Sequence, residues 1–197
     1  RQELTELPNK VDARTAFGMD PHGPAVLVMG GSQGAQSLNT LVVDAAKAMP
    51  GLQFIHITGA YDFDRVKKLV GNREGYRVIE FCDDMATAYA ACDVAVCRSG
   101  ASSMTELAYV AMPSILVPYP HAADDHQTVN AEVFHSAGAA VLRPQDELDA
   151  GQLVADLTKI VEDDEYRKVM SANAASLAVR DAATKICDVI SADIISK

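Results

Sequence analysis

Several short stretches of this chain combine glycine, hydroxyl and charged side chains at spacings suited to holding an anion or a polyol. One is Gly30-Gly31-Ser32-Gln33-Gly34-Ala35, which follows the apolar run Val26-Leu27-Val28-Met29. Glycine admits positive φ and lets a ligand approach the backbone. A helix starting just beyond it offers unpaired N–H groups and the positive end of its dipole to phosphate. Ser32 adds a hydroxyl, either toward a ligand or as the cap of that helix. Gly34 is followed by Ala35 rather than by Lys-Ser/Thr, so a Walker loop is not met. The next apolar run ends in Thr58-Gly59-Ala60, without the acidic residue of an NAD-binding fingerprint.

The densest stretch is Arg98-Ser99-Gly100-Ala101-Ser102-Ser103-Met104-Thr105-Glu106. Arg98 is expected at a strand end, where its charge would meet a ligand. The amides of Ala101, Ser102 and Ser103 would form a second anion site at a helix start. Glu106, about one turn further, could accept from the two vicinal hydroxyls of a ribose. The plainer alternative makes Ser99 or Ser102 a cap and Glu106 a favourable charge near the helix dipole. In Phe81-Cys82-Asp83-Asp84-Met85, one of the two aspartates would cap the helix that follows. Neighbouring carboxylates on an extended chain point to opposite sides and make a poor metal pair. The backbone at Cys82 could instead read the edge of a base.

After Pro118-Tyr119-Pro120 comes His121-Ala122-Ala123-Asp124-Asp125-His126-Gln127. His121, Asp124, Asp125 and His126 could be read as a metal cluster, but caps and solvated loop residues account for them without an ion. His126 and Gln127, at a helix start, suit hydrogen bonds to sugar hydroxyls, and Asn130 would brace the loop. No Ser-His-Asp order, activated cysteine or H-E-x-x-H motif competes.

The elements that must position these residues follow from periodicity. Strands are predicted at Ala25–Met29, Gln53–Thr58, Arg77–Phe81, Asp93–Cys97, Ser114–Pro118 and Ala139–Leu142. Amphipathic helices are predicted at Ala35–Ala48, Asp62–Val70, Met85–Ala91, Ser102–Val110 and Gln127–Ala137. Strands apolar throughout, each followed by a helix, imply a parallel sheet covered on both faces, an α/β Rossmann-like doubly wound fold. In such a sheet ligands lie beyond the carboxyl ends of the strands, where these stretches fall. Helices at Gln152–Glu162, Asp164–Leu177 and Asp181–Ile195 would form a helical C-terminal tail. One domain over residues 24–197 is expected, preceded by a lead over residues 1–23.

Bulk properties narrow the class. With 197 residues, 49% hydrophobic and 22% charged, the chain reads as an ordinary globular protein. A formal net charge of −10 argues against a nucleic-acid partner, which needs a surplus of Lys and Arg. No apolar run approaches the ~20 residues of a membrane-spanning helix, and the start carries no signal-peptide pattern. Cys82, Cys92, Cys97 and Cys187 have no zinc-type spacing and suit a reducing, cytoplasmic setting.

Taken jointly, Gly30-Gly31-Ser32-Gln33-Gly34-Ala35, Phe81-x-Asp83-Asp84-Met85, Arg98-Ser99-Gly100-Ala101 with Glu106, and His126-Gln127-x-x-Asn130-Ala131 resemble the MurG family of N-acetylglucosaminyltransferases. The likeness is to the C-terminal, donor-binding half of a GT-B fold, in which two Rossmann-like domains face each other across a cleft. It implies UDP-N-acetylglucosamine as donor, bound as a substrate with no cofactor and no metal. It implies a lipid-linked peptidoglycan precursor as acceptor, reached only through the N-terminal acceptor domain. The full-length enzyme would then be cytoplasmic and peripheral at the inner face of the plasma membrane.

Residue by residue, the resemblance implies that Ser32, within Gly31-Ser32-Gln33-Gly34, contacts the donor diphosphate, and that Ser102 and Ser103 hold the phosphate nearer the sugar. The Cys82 backbone would read uracil and Glu106 the ribose. Ala101, His126 and Gln127 would lie near the sugar, although some members carry Gln where His126 stands. Arg1 would be the end of an interdomain linker motif approaching the nucleotide. No catalytic base is expected in this chain, so it would bind donor without turnover. Two alternatives remain open: a naturally separate donor subunit, and part of a UDP-sugar epimerase.

Overall fold

The computed structural model describes residues 2–31, 35–180, 187, 190 and 191. Each predicted strand is present: β1 (Ala25–Met29), β2 (Gln53–Ile57), β3 (Tyr76–Ile79), β4 (Val94–Cys97), β5 (Ser114–Leu116) and β6 (Ala140–Leu142). They form one sheet in the order β3-β2-β1-β4-β5-β6, every neighbour parallel. All five positions of β1 are buried, as expected of a strand covered on both faces.

Side-chain alternation along the strands separates two cores. Val26, Val28, Val94 and Val96 face a layer that includes α2 (Gln36–Lys47) and α7 (Ala150–Glu162). Leu27, Met29, Ala95 and Cys97 face the other, which includes α4 (Met85–Ala91), α5 (Ala101–Tyr109) and α6 (His126–Ser136). Fully buried side chains such as Leu27, Ile115 and Phe54 each contribute about 1.5–3 kcal/mol of burial. The chain runs outward from β1 through β2 and β3 by way of α2 and α3 (Phe63–Val70), then returns to β4 and continues the opposite way. Right-handed crossovers put the helices of the two directions on opposite faces. The reversal leaves a crevice between the carboxyl ends of β1 and β4.

The lead holds more order than its sequence declares. Asn9 caps α1 (Lys10–Ala16) by accepting from the Val11 amide at 2.8 Å, and Ala13 and Met19 enter the core. Arg14, 5% exposed, donates to the Ala91 carbonyl and pairs with Asp93 at 2.6 Å. Asp93 also accepts from Lys10 and from the Ala25 amide, so one carboxylate ties α1 to the starts of β1 and β4. A seven-residue helix is too short to show a clear apolar period, and its anchor is a charged side chain.

Beyond α7, Asp163 caps α8 (Asp164–Ser176) through the Tyr166 amide. The helix expected at Asp181–Ile195 lies, apart from Cys187, Ile190 and Ser191, outside the described residues. Among the described residues no helix is long and apolar enough to cross a membrane.

Candidate functional site

A pocket of about 420 Å³ opens at the carboxyl ends of β1 to β4. Its floor is made by Met29 and Ile57, the last residues of β1 and β2. Gly31 and Gly59 follow those strands with φ of 94° and 78°, a region that a side chain would strain. One wall is Glu80 to Cys82 with Met85; the other is Gly100 to Ser103 with Glu106. The sequence-predicted residues Gly31, Cys82, Ala101, Ser102, Ser103 and Glu106 therefore share one cavity.

The second wall begins a helix with no side-chain cap. Gly100, the N-cap of α5, has extended backbone (φ −68°, ψ 148°) and nothing to cap with. The first intrahelical bond runs from the Met104 amide to the Gly100 carbonyl at 3.0 Å. Helix geometry thus leaves the amides of Ala101, Ser102 and Ser103 outside the ladder, beside the pocket and at the positive end of the dipole. Neither Ser99 nor Ser102 caps α5. Ser99 is fully buried and donates from Oγ to the Gln127 carbonyl at 2.7 Å.

The first wall differs. Asp84 caps α4, accepting from the Thr87 hydroxyl at 2.6 Å and the Thr87 amide at 3.0 Å. The Thr87 hydroxyl, and then its amide, hold the Asp84 carboxyl below the usual range. Asp84 is thus committed to its helix, while Cys82 lines the pocket.

Arg98, expected to meet a ligand at the strand end, is not among the residues that line this pocket. Counting alternate positions from Val94 and Val96 puts it on the α2/α7 side of the sheet, away from the pocket. Only 6% exposed, its guanidinium donates to the Val117 and Pro118 carbonyls at 3.0 and 2.9 Å, to Ser37 and to Gln145. It stitches the end of β5 to α2 and to the turn after β6. With Arg98 turned away, no Lys, Arg or His lines the pocket among the described residues. An anion there would meet backbone N–H groups.

His126 and Gln127 begin α6 outside the pocket lining. Gln127 accepts from the Tyr119 amide at 3.0 Å, and His126 Nδ1 contacts the Ala123 carbonyl at 2.7 Å. Asn130 donates to the Ser99 carbonyl at 3.0 Å, so it braces α6 against the turn that starts α5. Asp124 and Asp125 both have positive φ, near 50°, a conformation that Asp tolerates better than most residues. Arg1, Ser32, Gln33 and Gly34 lie outside the described residues.

Behind the glycine turn, a buried polar chain ties α2 to β2. The Asn39 amide nitrogen faces two acceptors, the Thr58 carbonyl at 3.1 Å and Asp62 at 2.7 Å, so its oxygen faces His56. His56 therefore carries its proton on Nε2 and accepts at Nδ1 from the Tyr76 hydroxyl at 2.8 Å. Burial drives the His56 pKa down to about 3, against the opposing pull of Asp62. Asp62 is held low chiefly by its hydrogen bond from Arg65. Sequence alone gave no sign of this chain, because its members are paired only across the fold.

Comparison with known proteins falls on the same architecture. The family described as Glycosyltransferase family 28 C-terminal domain matches residues 25–186. The UDP-N-acetylglucosamine--N-acetylmuramyl-(pentapeptide) pyrophosphoryl-undecaprenol N-acetylglucosamine transferase of Chlorobium luteolum is 40% identical over 171 residues, covering 86% of this chain and 47% of the relative. Its namesake from Shewanella frigidimarina is 42% identical over 195 residues, with 96% and 52% covered. Among solved structures, Acinetobacter baumannii MurG matches with a TM-score of 0.80 at 27% identity, over 94% of this chain and 55% of that one. The C-terminal CMP-Kdo binding domain of Acinetobacter baumannii WaaA, at 13% identity and a TM-score of 0.63 over 85% of this chain and 94% of that one, shares the fold. This chain spans about half the length of the curated relatives it matches. The matched span takes in all six strands and both walls of the crevice, and the chain belongs to the family of glycosyltransferase family 28 C-terminal domains.

Proposed function

We propose that this chain is the donor-binding half of an inverting N-acetylglucosaminyltransferase that makes the lipid-linked disaccharide precursor of peptidoglycan, with UDP-N-acetylglucosamine as its ligand. The observation that carries this is the meeting of the uncapped α5 start with Glu106 in one pocket, anion donors beside a diol acceptor. In this reading the amides of Ser102 and Ser103 hold the phosphate nearer the sugar, and Gly31-Ser32-Gln33-Gly34 the other phosphate. The Cys82 backbone reads uracil, Glu106 takes the ribose hydroxyls, and Ala101, His126 and Gln127 surround the sugar. Arg98 serves indirectly, by fixing the strand end that α5 leaves. Arg1 approaches the nucleotide from the lead, and residues 24–197 form the binding domain.

The chemistry asked of this half is to receive charge. As an acceptor hydroxyl displaces the diphosphate at the anomeric carbon, negative charge grows on the leaving group. Amides already aimed at it stabilise that charge without reorganising. No metal or cofactor is required in this reading. The acceptor, the catalytic base and the contact with the inner face of the membrane belong to the other half of the enzyme, so this chain binds donor without turning it over.

Calorimetry of the chain with UDP, 2′-deoxy-UDP and GDP is the test. UDP should bind best, with both the missing hydroxyl and the wrong base weakening it. Equal binding of all three would sink the ribose and uracil assignments, and sugar transfer by the chain alone would refute the division of labour.

A further inference from the structure

The ribose end of the pocket has a support from the neighbouring helix. Tyr89, on α4, is 1% exposed, and its hydroxyl donates to Glu106 Oε2 at 2.9 Å with Met29 Sδ 3.8 Å away. A buried phenol needs a partner for its O–H, and a carboxylate is among the strongest acceptors. Glutamate has several rotamers to lose on binding a ligand, and a fixed oxygen removes that loss beforehand. A carboxylate has about four acceptor directions, so one bond from a tyrosine is compatible with accepting from a diol.

The bond also joins the two walls. α4 begins beside Cys82 and α5 beside Gly100, and the Tyr89 hydroxyl reaches from α4 to Glu106, which lines the pocket. We propose that Tyr89 is a positioning residue that holds the Glu106 carboxylate oriented to accept from the ribose hydroxyls. This rests on the ribose reading of Glu106 given above. A tyrosine that merely packed α4 against α5 would affect every nucleotide alike, whereas a positioning residue acts through the diol.

The experiment is a calorimetric double-mutant cycle on this chain, with Y89F, E106A and Y89F/E106A each titrated with UDP and 2′,3′-dideoxy-UDP. Y89F should weaken UDP by about threefold to tenfold, the range expected for freeing one ordered side chain, and leave dideoxy-UDP within about twofold. In the E106A background, the tyrosine change should cost UDP nothing more. Equal weakening of both nucleotides by Y89F, or an undiminished effect in the E106A background, overturns the proposal. So does wild-type UDP affinity in Y89F while E106A still loses its preference for UDP. If E106A treats the two nucleotides alike, the ribose assignment itself has failed and takes the role of Tyr89 with it. Should Y89F not fold, proton NMR of the unaltered chain decides. A slowly exchanging Tyr89 hydroxyl proton must be present and must disappear in E106A, and its absence refutes the positioning bond.

Discussion

Helices α5 and α7 both follow a strand of the same sheet, yet they begin in opposite ways. Asp149 caps α7, accepting from the Gln152 amide at 2.7 Å. Gly100 starts α5 with no side chain, and the amides it leaves open line the pocket. A capped start spends a first-turn amide on its own helix, and an uncapped start leaves its first amides outside the ladder. The same contrast divides the pocket's two walls, since Asp84 consumes donors of α4 while α5 keeps its own. At this pocket the α5 start presents uncapped amides where the α4 start presents a capped one.

Removing the contrast should have the largest effect. At Gly100 a Cβ would meet nothing within 4 Å, and its backbone is ordinary for any residue. G100D should gain a few tenths of a kcal/mol of stability as a cap, while weakening UDP by roughly 30-fold or more through blocked amides and like charge. Thermal melts and calorimetry read the two directions together. A variant less stable or equally tight in binding would break the comparison.

The comparison extends to α2, whose first turns are held from behind by the His56 chain. His56 is neutral when folded with its pKa near 3, against an ordinary value of 6.5. The unfolded chain therefore takes up the proton first, so this contribution is full above pH 6.5 and is lost as pH falls toward 3. Urea unfolding should show stability dropping by up to about 1.4 kcal/mol more per pH unit in the wild type than in H56Q between about pH 5.5 and 4. Parallel slopes would mean that His56 titrates normally.

A smaller loss is expected from E106A, about tenfold in UDP affinity and much less for 2′-deoxy-UDP, because one charged acceptor of sugar hydroxyls is removed. The mirror of the first change comes last. D149A should cost about 1 kcal/mol of stability in denaturant and leave UDP affinity untouched, since its cap serves α7 alone. A binding defect in D149A would erase the distinction between the two helix starts.

Much of this was legible in the chain. Continuous apolar runs such as Val26 to Met29, closed by glycine or proline, announce buried parallel strands, and β1 and α4 have the predicted bounds. Placing the motifs after strand ends was enough to gather Gly31, Cys82 and the Gly100–Glu106 turn into one pocket. Arg98 stands at the expected strand end but outside the pocket lining, because parity with Val94 and Val96 assigns it to the α2/α7 side of the sheet. Ser99 looked like a local cap, but its partner is the Gln127 carbonyl 28 residues away, a pairing set only by folding. The same holds for Tyr89, indistinguishable in sequence from any other buried face of α4.

The inward turn of Arg98 has a consequence for how ionic strength acts on the protein. Sites that collect phosphate with lysine and arginine weaken as salt screens them. Here the described pocket offers amides, whose dipoles act within the first turn, on a chain of net charge −10. Salt therefore screens the repulsion from the net charge as well as the dipole's attraction, and UDP affinity should fall much less steeply between about 0.1 and 1 M than at a site built on lysine and arginine. Selectivity in such a cradle comes from where the oxygens of the anion lie, so divalent charge alone, as in sulfate, should compete poorly.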